Sequence, residues 1–371
     1  MSSRGYVIAG VIVLAVLAAI GLWLGWQDDA GRPDGLRTIE PPPFTVETAS
    51  VAASTGESTP PALKSGGACP PAATSGPVDV EQAIADYERE MQDVRDRLAA
   101  SPDPEHRQAA ALVERDAQKR IELLHRAMNQ SRDSALFLWH AVHICARHRE
   151  QADCPLEAWE TRLLTLDGQN SEAWMLAATN RWRAGETDAA LRALRRAGTA
   201  PVTRSYWPES VALLERAFAV GDMPFAERAG NAFGVTAMNL PDYGPTTRMC
   251  RTQSATSREW ADACLAYGEL AERQGKTMLE TGIARAIQQM ALEALQDDER
   301  LAAVVARRDH IKRQHLSTEW IKSGTAAITD AVFFARYLDS FSEQGEVATM
   351  EQIGKEWEAW RRQQGGADCD P

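Results

Sequence analysis

The apolar positions of this chain fall into three regimes. From Tyr6 to Trp26 they are continuous, from Gln27 to Pro77 they are scattered without a period, and from Asp79 to about Arg362 they recur at three- and four-residue spacing. The first run, YVIAGVIVLAVLAAIGLWLGW, carries no charge, and at ~1.5 Å per residue it crosses a hydrocarbon core of ~30 Å. It predicts one transmembrane helix over residues 6–26, after a short N-terminus of residues 1–5. Arg4 precedes it and Asp28 and Asp29 follow, which keeps the N-terminus in the cytoplasm and puts the rest outside. Tyr6, Trp23 and Trp26 stand where interfacial aromatics belong. A cleaved signal peptide is the competing reading, but the run is longer than a usual signal core and no A-x-A site follows it. Gly21 and Gly25 form a G-x-x-x-G, a spacing that lets two such helices approach as a homodimer.

The second regime, residues 27–77, is rich in Pro, Gly, Ser, Thr and Ala, with PPP at 41–43. It is expected to be a disordered linker, because it buries too little apolar surface to offset its ordering entropy. A flexible chain of that length reaches about 40 Å from the bilayer. The third regime, residues 78–364, predicts an all-α body with no alternating strand, followed by a short disordered tail, 365–371. Helix starts are signalled at Asp79 with Gln82, Asp103 before Pro104, Asp133, Ser171 and Pro208 after Trp207. Turn glycines at Gly185 and Gly221 lie 36 residues apart, and Gly275 and Gly345 lie 70 apart. A period in the mid-thirties predicts stacked helical hairpins.

The clearest unit is residues 170–201, NSEAWMLAATNRWRAGETDAALRALRRAGTAP. Trp174, Ala177 or Ala178, Gly185, Ala190, Leu194 and Ala197 fall at the offsets of a tetratricopeptide repeat, with Arg181 in place of the usual aromatic. The unit resembles that family, and the likeness implies a TPR-like hairpin solenoid. Elsewhere the match is partial: Gly221 with Ala226, and Tyr267, Gly268 and Gly275. Residues 240–256 interrupt the period as an insertion, and 299–320 show no turn where one is due. Without the family, the helix over 171–184 has two packing stripes. Trp174, Ala177, Ala178 and Arg181 form one; Met175, Thr179 and Trp182 form the other, about 100° away. An inner helix of a hairpin stack needs both, and a compact bundle also satisfies the pattern. The second stripe, with Arg183, combines a thioether, an indole and a cation, and is the candidate floor for an extended peptide or partner helix. Its plain alternative is core packing.

Composition narrows the function. The 371-residue chain carries a net charge of -12, which argues against nucleic acid, since phosphate binding needs clustered Lys and Arg. Six cysteines on the outer side of a membrane suggest disulfides. Cys145 with Cys154 would staple a hairpin turn, and Cys250 with Cys264 would pin the insertion to the next helix. Cys69 and Cys369 remain open to pairing with each other, pairing between chains, or staying free. His140, His143, Cys145, His148 and Cys154 also admit a metal or haem carrier. At 100° per residue Cys145 points away from the His140–His143 stripe, and Arg147 on that stripe suggests a solvent edge. GKT at 275–277 lacks the upstream glycine and the strand of a phosphate loop. No nucleophile or protease motif is present, so an enzyme would need a site assembled only by the fold. No catalytic residue and no cofactor is expected.

The resulting expectation is a single-span inner-membrane protein with a periplasmic body that acts as a scaffold for a protein or peptide partner at the membrane. The layout is similar to that of membrane-anchored periplasmic tetratricopeptide proteins serving translocation, cytochrome c maturation or envelope assembly. If the anchor is retained, a C-terminal reporter is active only outside the cytoplasm and the mature protein begins near Ser2. A mature N-terminus beyond Trp26 would instead show cleavage.

Overall fold

The structure, a computed structural model, describes residues 80–150, 154–314 and 318–363. The expected anchor with Gly21 and Gly25, the linker and the tail, with Cys69 and Cys369, lie outside them. Among the described residues no helix is long and apolar enough to cross a membrane. Those residues form sixteen α-helices and one short 3-10 turn. The helices are α1 (Val80–Ala100), α2 (Pro104–Val113), α3 (Ala117–Gln130), α4 (Ala135–His148), α5 (Leu156–Asp167), α6 (Ser171–Arg183), α7 (Thr187–Thr199) and α8 (Trp207–Phe218). They continue as α9 (Phe225–Met238), α10 (Gly244–Ser254), α11 (Arg258–Gln274), α12 (Met278–Leu295), α13 (Asp298–Gln314), α14 (Thr318–Thr329), α15 (Ala331–Gln344) and α16 (Glu346–Gln363). The all-α reading holds.

Local chemistry sets the starts. Asp103 caps α2 by accepting from the Glu105 amide, with Pro104 in the first turn; Asp116 and Ser134 cap α3 and α4 the same way. Asn170, one residue before the expected Ser171, caps α6. Each such cap satisfies a helix-end amide that has no partner in the helix. The turn at Gly185, φ 83°, joins α6 to α7. A backbone bond at the far end of that hairpin, Ser171 N–H to Val202 O at 2.7 Å, closes it.

Residues 240–256 are a correction: Gly244–Ser254 forms helix α10, with Pro245 in its first turn. Both expected disulfides are present. Cys145–Cys154 joins the end of α4 to the approach to α5, Cα–Cα 6.1 Å, and Cys250–Cys264 joins α10 to α11, Cα–Cα 5.9 Å.

Two helical hairpins, α6–α7 and α11–α12, pack through α7 and α11. Around them the chain does not grow in one direction, as a simple stack would. Helices α8 and α9 turn back onto α2, and Asn239 Nδ2 donates to Leu112 O at 2.9 Å across 127 residues. Their apolar side chains Val211, Leu214, Phe218 and Val235 join Leu98, Leu124 and Leu138 in one core. A second core is built on Ala177, Leu194, Tyr267 and Ile287. A smaller third core around Tyr337, Phe341 and Ile353 belongs to α14–α16. This last group docks by aromatic edges, Phe225 and Phe233 against Phe334 at 5.6 and 5.9 Å.

The close approach of α7 to α11 generates a paired prediction. A Cβ on Gly198 would lie 3.0 Å from both Ala266 Cβ and the Tyr267 backbone nitrogen, whereas on Gly230, in α9, it would meet nothing within 4 Å. Both glycines lie in helices, where alanine normally gains about 0.5–1 kcal/mol. Gly198→Ala is expected to lower stability by about 1–3 kcal/mol through overpacking, while Gly230→Ala raises it. Urea melts of the two variants check the opposite signs.

Candidate functional site

The stripe expected to form a binding floor is interior. Met175 is 2% exposed and Thr179 5%; both lie under α10, where the Thr179 and Thr246 hydroxyls hydrogen-bond at 2.9 Å. Trp182 is half-buried against the same core. Arg183 is exposed, its guanidinium donating to Ala146 O at 3.0 Å. The reason is the helix that the sequence hid as an insertion: α10 covers the face. Arg181, the departure from the repeat pattern, pairs at 3.2 Å with Glu160 of α5, which is itself buried.

The structure instead places a concave site where α4, α8 and the end of α9 meet. The cleft, a small indentation enclosing about 20 Å³ and partly open to solvent, is lined by Leu112, Trp139, His140, Ser205, Trp207, Ser210, Thr236, Asn239, Leu240 and Pro241. Met238, 70% exposed, is next in sequence to Asn239 of its lining. Apolar walls with a few convergent polar groups are the usual makeup of a recognition pocket. Trp139 is buried between His143, centroids 4.2 Å apart, and Tyr206 at 5.8 Å. Trp207 is the first residue of α8, after Tyr206 in the left-handed region at φ 58°, and its indole N–H is buried without an acceptor.

The floor holds a one-way hydrogen-bond relay. Gln108 Nε2 lies 2.6 Å from His140 Nδ1, and His140 Nε2 lies 2.9 Å from Ser210 Oγ, which donates to Tyr206 O at 2.6 Å. An amide nitrogen only donates, so Nδ1 accepts and the ring proton sits on Nε2, directed at the serine. Burial, with Arg120 nearby, pushes the His140 pKa down to about 3, so the ring is neutral. A serine nucleophile needs the opposite sense, its hydroxyl donating to the imidazole. Here Ser210 and His140 fix α8 to α4 and α2. His140 is therefore no solvent-edge residue, as Arg147 on its stripe had suggested: the stripe faces α8, and Arg147 reaches past it to donate to Leu240 O at 2.5 Å.

His140 and His143 do not converge with Cys145, which is bridged to Cys154. Among the described residues no three His, Cys, Asp or Glu side chains are grouped to hold a metal ion. The GKT loop also has an internal explanation. The Lys276 and Thr277 amides both donate to Glu280 Oε2 at 2.8 Å, and the Met278 amide donates to Glu346 Oε2 at 2.7 Å. The protein's own carboxylates occupy the anion-favouring end of α12.

A second buried polar node, Glu172, joins α6 to α11. Tyr267 Oη donates to its carboxylate at 2.7 Å. Burial, then the neighbouring Glu280, raises the Glu172 pKa to about 8. Because the folded value lies above the unfolded one, this group's stabilisation is complete below about pH 4.5 and is lost as pH rises to about 8. Glu172→Gln removes that loss. Between pH 5 and pH 8.5 the stability difference is expected to move in the variant's favour by on the order of 4 kcal/mol; an unchanged difference in chemical melts would refute the assignment. No protein-family model, curated protein or solved structure matches the chain.

Proposed function

We propose that this protein is a membrane-anchored, extracytoplasmic helical scaffold that holds a protein or peptide partner at the α4/α8/α9 cleft. The observation that carries the reading is the cleft itself: an apolar rim over a polar floor whose geometry is fixed by buried hydrogen bonds. A rigid, preorganised pocket loses little ordering entropy on binding. The two disulfides support an oxidising compartment, which agrees with the uncharged N-terminal run as an anchor. The hairpin of residues 170–201, with Ala177, Ala190, Leu194 and Ala197 fully buried, supports a TPR-like unit inside a body with its own topology.

The test is site-specific photocrosslinking in native membranes. A crosslinker at Met238, beside the cleft, is expected to capture a defined partner. The same group at exposed Arg192 on α7 is the control, expected to capture none. Equal capture at both positions, or none at Met238, would sink the assignment of this cleft.

A further inference from the structure

We propose that the clasp between the α11–α12 loop and the start of α16 is a proton-operated latch: carrying its protons it holds the α14–α16 group on the body, and on losing them it lets that group open.

The clasp is built from acids. Glu280, 4% exposed, turns Oε2 back to accept the Lys276 and Thr277 amides at 2.8 Å, and its other oxygen, Oε1, is buried with no partner. Glu346 reaches across the junction to accept the Met278 amide at 2.7 Å. The start of α12 therefore receives two carboxylates, one from its own first turn and one from α16. A third, Glu172 of α6, is 3% exposed and neighbours Glu280. A helix start favours one negative charge; further ones have no donor left to meet them.

The groups around these acids supply no positive charge. Tyr267 of α11 donates to Glu172 at 2.7 Å, Tyr243 before α10 lies beside Glu172 and Glu280, and Tyr337 of α15 lies beside Glu346. The cations of the same elements are engaged elsewhere: Lys276 Nζ donates to Glu343 O at 2.6 Å, and Arg285, Arg336 and Lys355 pair with Glu272, Glu356 and Glu351. Neighbouring carboxylates in a buried setting resist ionising together. They are not grouped to hold a metal ion; protons neutralise them instead.

Their position gives those protons control of docking. The α14–α16 group rests on α8–α9 and is joined to the central hairpins by the clasp. The first contact includes the aromatic edges of Phe334 on Phe225 and Phe233, which carry no titratable group. The second carries Glu346 over the junction, so opening returns its carboxylate to water and separates it from Glu280. Burial raises the Glu346 pKa to about 7, Glu280 adding to the rise and the Met278 amide opposing it. Because this value lies above the usual 4.5, the contribution to docking is complete below about pH 4.5 and is lost as pH rises through about 7; Glu172, at about 8, follows.

Hydrogen exchange of the full chain between pH 5 and pH 8, corrected for the intrinsic pH dependence of amide exchange, tests the latch. Exchange in α15 and α16 is expected to rise at least about tenfold more than exchange in α4, the effect of one pKa unit. Glu346→Gln keeps an acceptor for the Met278 amide but cannot ionise, and is expected to flatten that rise. Glu280→Gln removes the neighbouring charge and is expected to shrink it, which keeps the test decisive if the first variant does not fold. Glu343→Gln, whose side chain is exposed, is expected to leave it in place. An equal response in α4 and α16, no response to pH, a rise that both clasp variants leave unchanged, or one that Glu343→Gln abolishes overturns the proposal.

Discussion

The α8–α9 hairpin must bury two apolar faces at once, and the arrangement of the body follows from that. One face carries Val211, Leu214, Phe218 and Val235 into the core with α1–α4. The other offers Phe225 and Phe233 to Phe334 and Tyr337 of α15. Non-directional apolar burial drives the closure, but it does not fix the register. Directional bonds do: Tyr87 Oη to Asn231 Oδ1 at 3.1 Å, Arg97 to Val220 O at 3.2 Å, and Asn239 to Leu112 O at 2.9 Å. All three bind α1 or α2 to segments more than 120 residues later. The cleft is the seam left where this returning hairpin meets α4.

The central hairpins are joined to the C-terminal group by a different device. The turn at Gly345, φ 85°, brings the backbone against Lys276, so that the Glu346 amide donates to Lys276 O at 2.7 Å. In return the Glu346 carboxylate accepts the Met278 amide at 2.7 Å, and Lys276 Nζ donates to Glu343 O at 2.6 Å. Any side chain at Gly345 would put its Cβ 3.0 Å from the Lys276 carbonyl oxygen. Two loops thus cap each other, and the anion site at the start of α12 is filled from within.

Much of this was legible in the sequence, and the losses share a cause. Helical periodicity gave the class, Asp103 and the 170–201 hairpin were readable from local chemistry, and cysteine spacing gave both described disulfides. Residues 240–256 were not readable, because LPDYGPTT looks like loop and Met249 and Cys250 alone make a short apolar stripe. Missing α10 left the Met175–Thr179 face apparently free, so one misread segment produced both the wrong insertion and the wrong floor. The cleft was beyond reach for another reason. Trp139, Trp207 and Asn239 stand far apart in sequence, and only the return of α8–α9, a tertiary choice with no local signal, brings them together. His140 was noticed for its chemistry, yet its partners Gln108 and Ser210 are residue types that carry no motif.

The disulfides bear on the cleft as well as on stability. Cys145 lies on α4 one turn and a half beyond Trp139 and His140, and its bridge to Cys154 fixes the end of that helix. Cys250 holds α10, whose preceding segment supplies Leu240 and Pro241 to the opposite wall. Between them Arg147 of α4 donates to Leu240 O, tying one wall to the other. Each bridge closes a loop of roughly ten to fifteen residues and contributes on the order of 3 kcal/mol in the loop-entropy account. Breaking either would free one wall to move relative to the His140–Ser210 floor, which stays anchored by α2 and α8. In the proposed reading, both bridges hold the walls of the recognition site. That links its geometry to the compartment in which the scaffold is proposed to work.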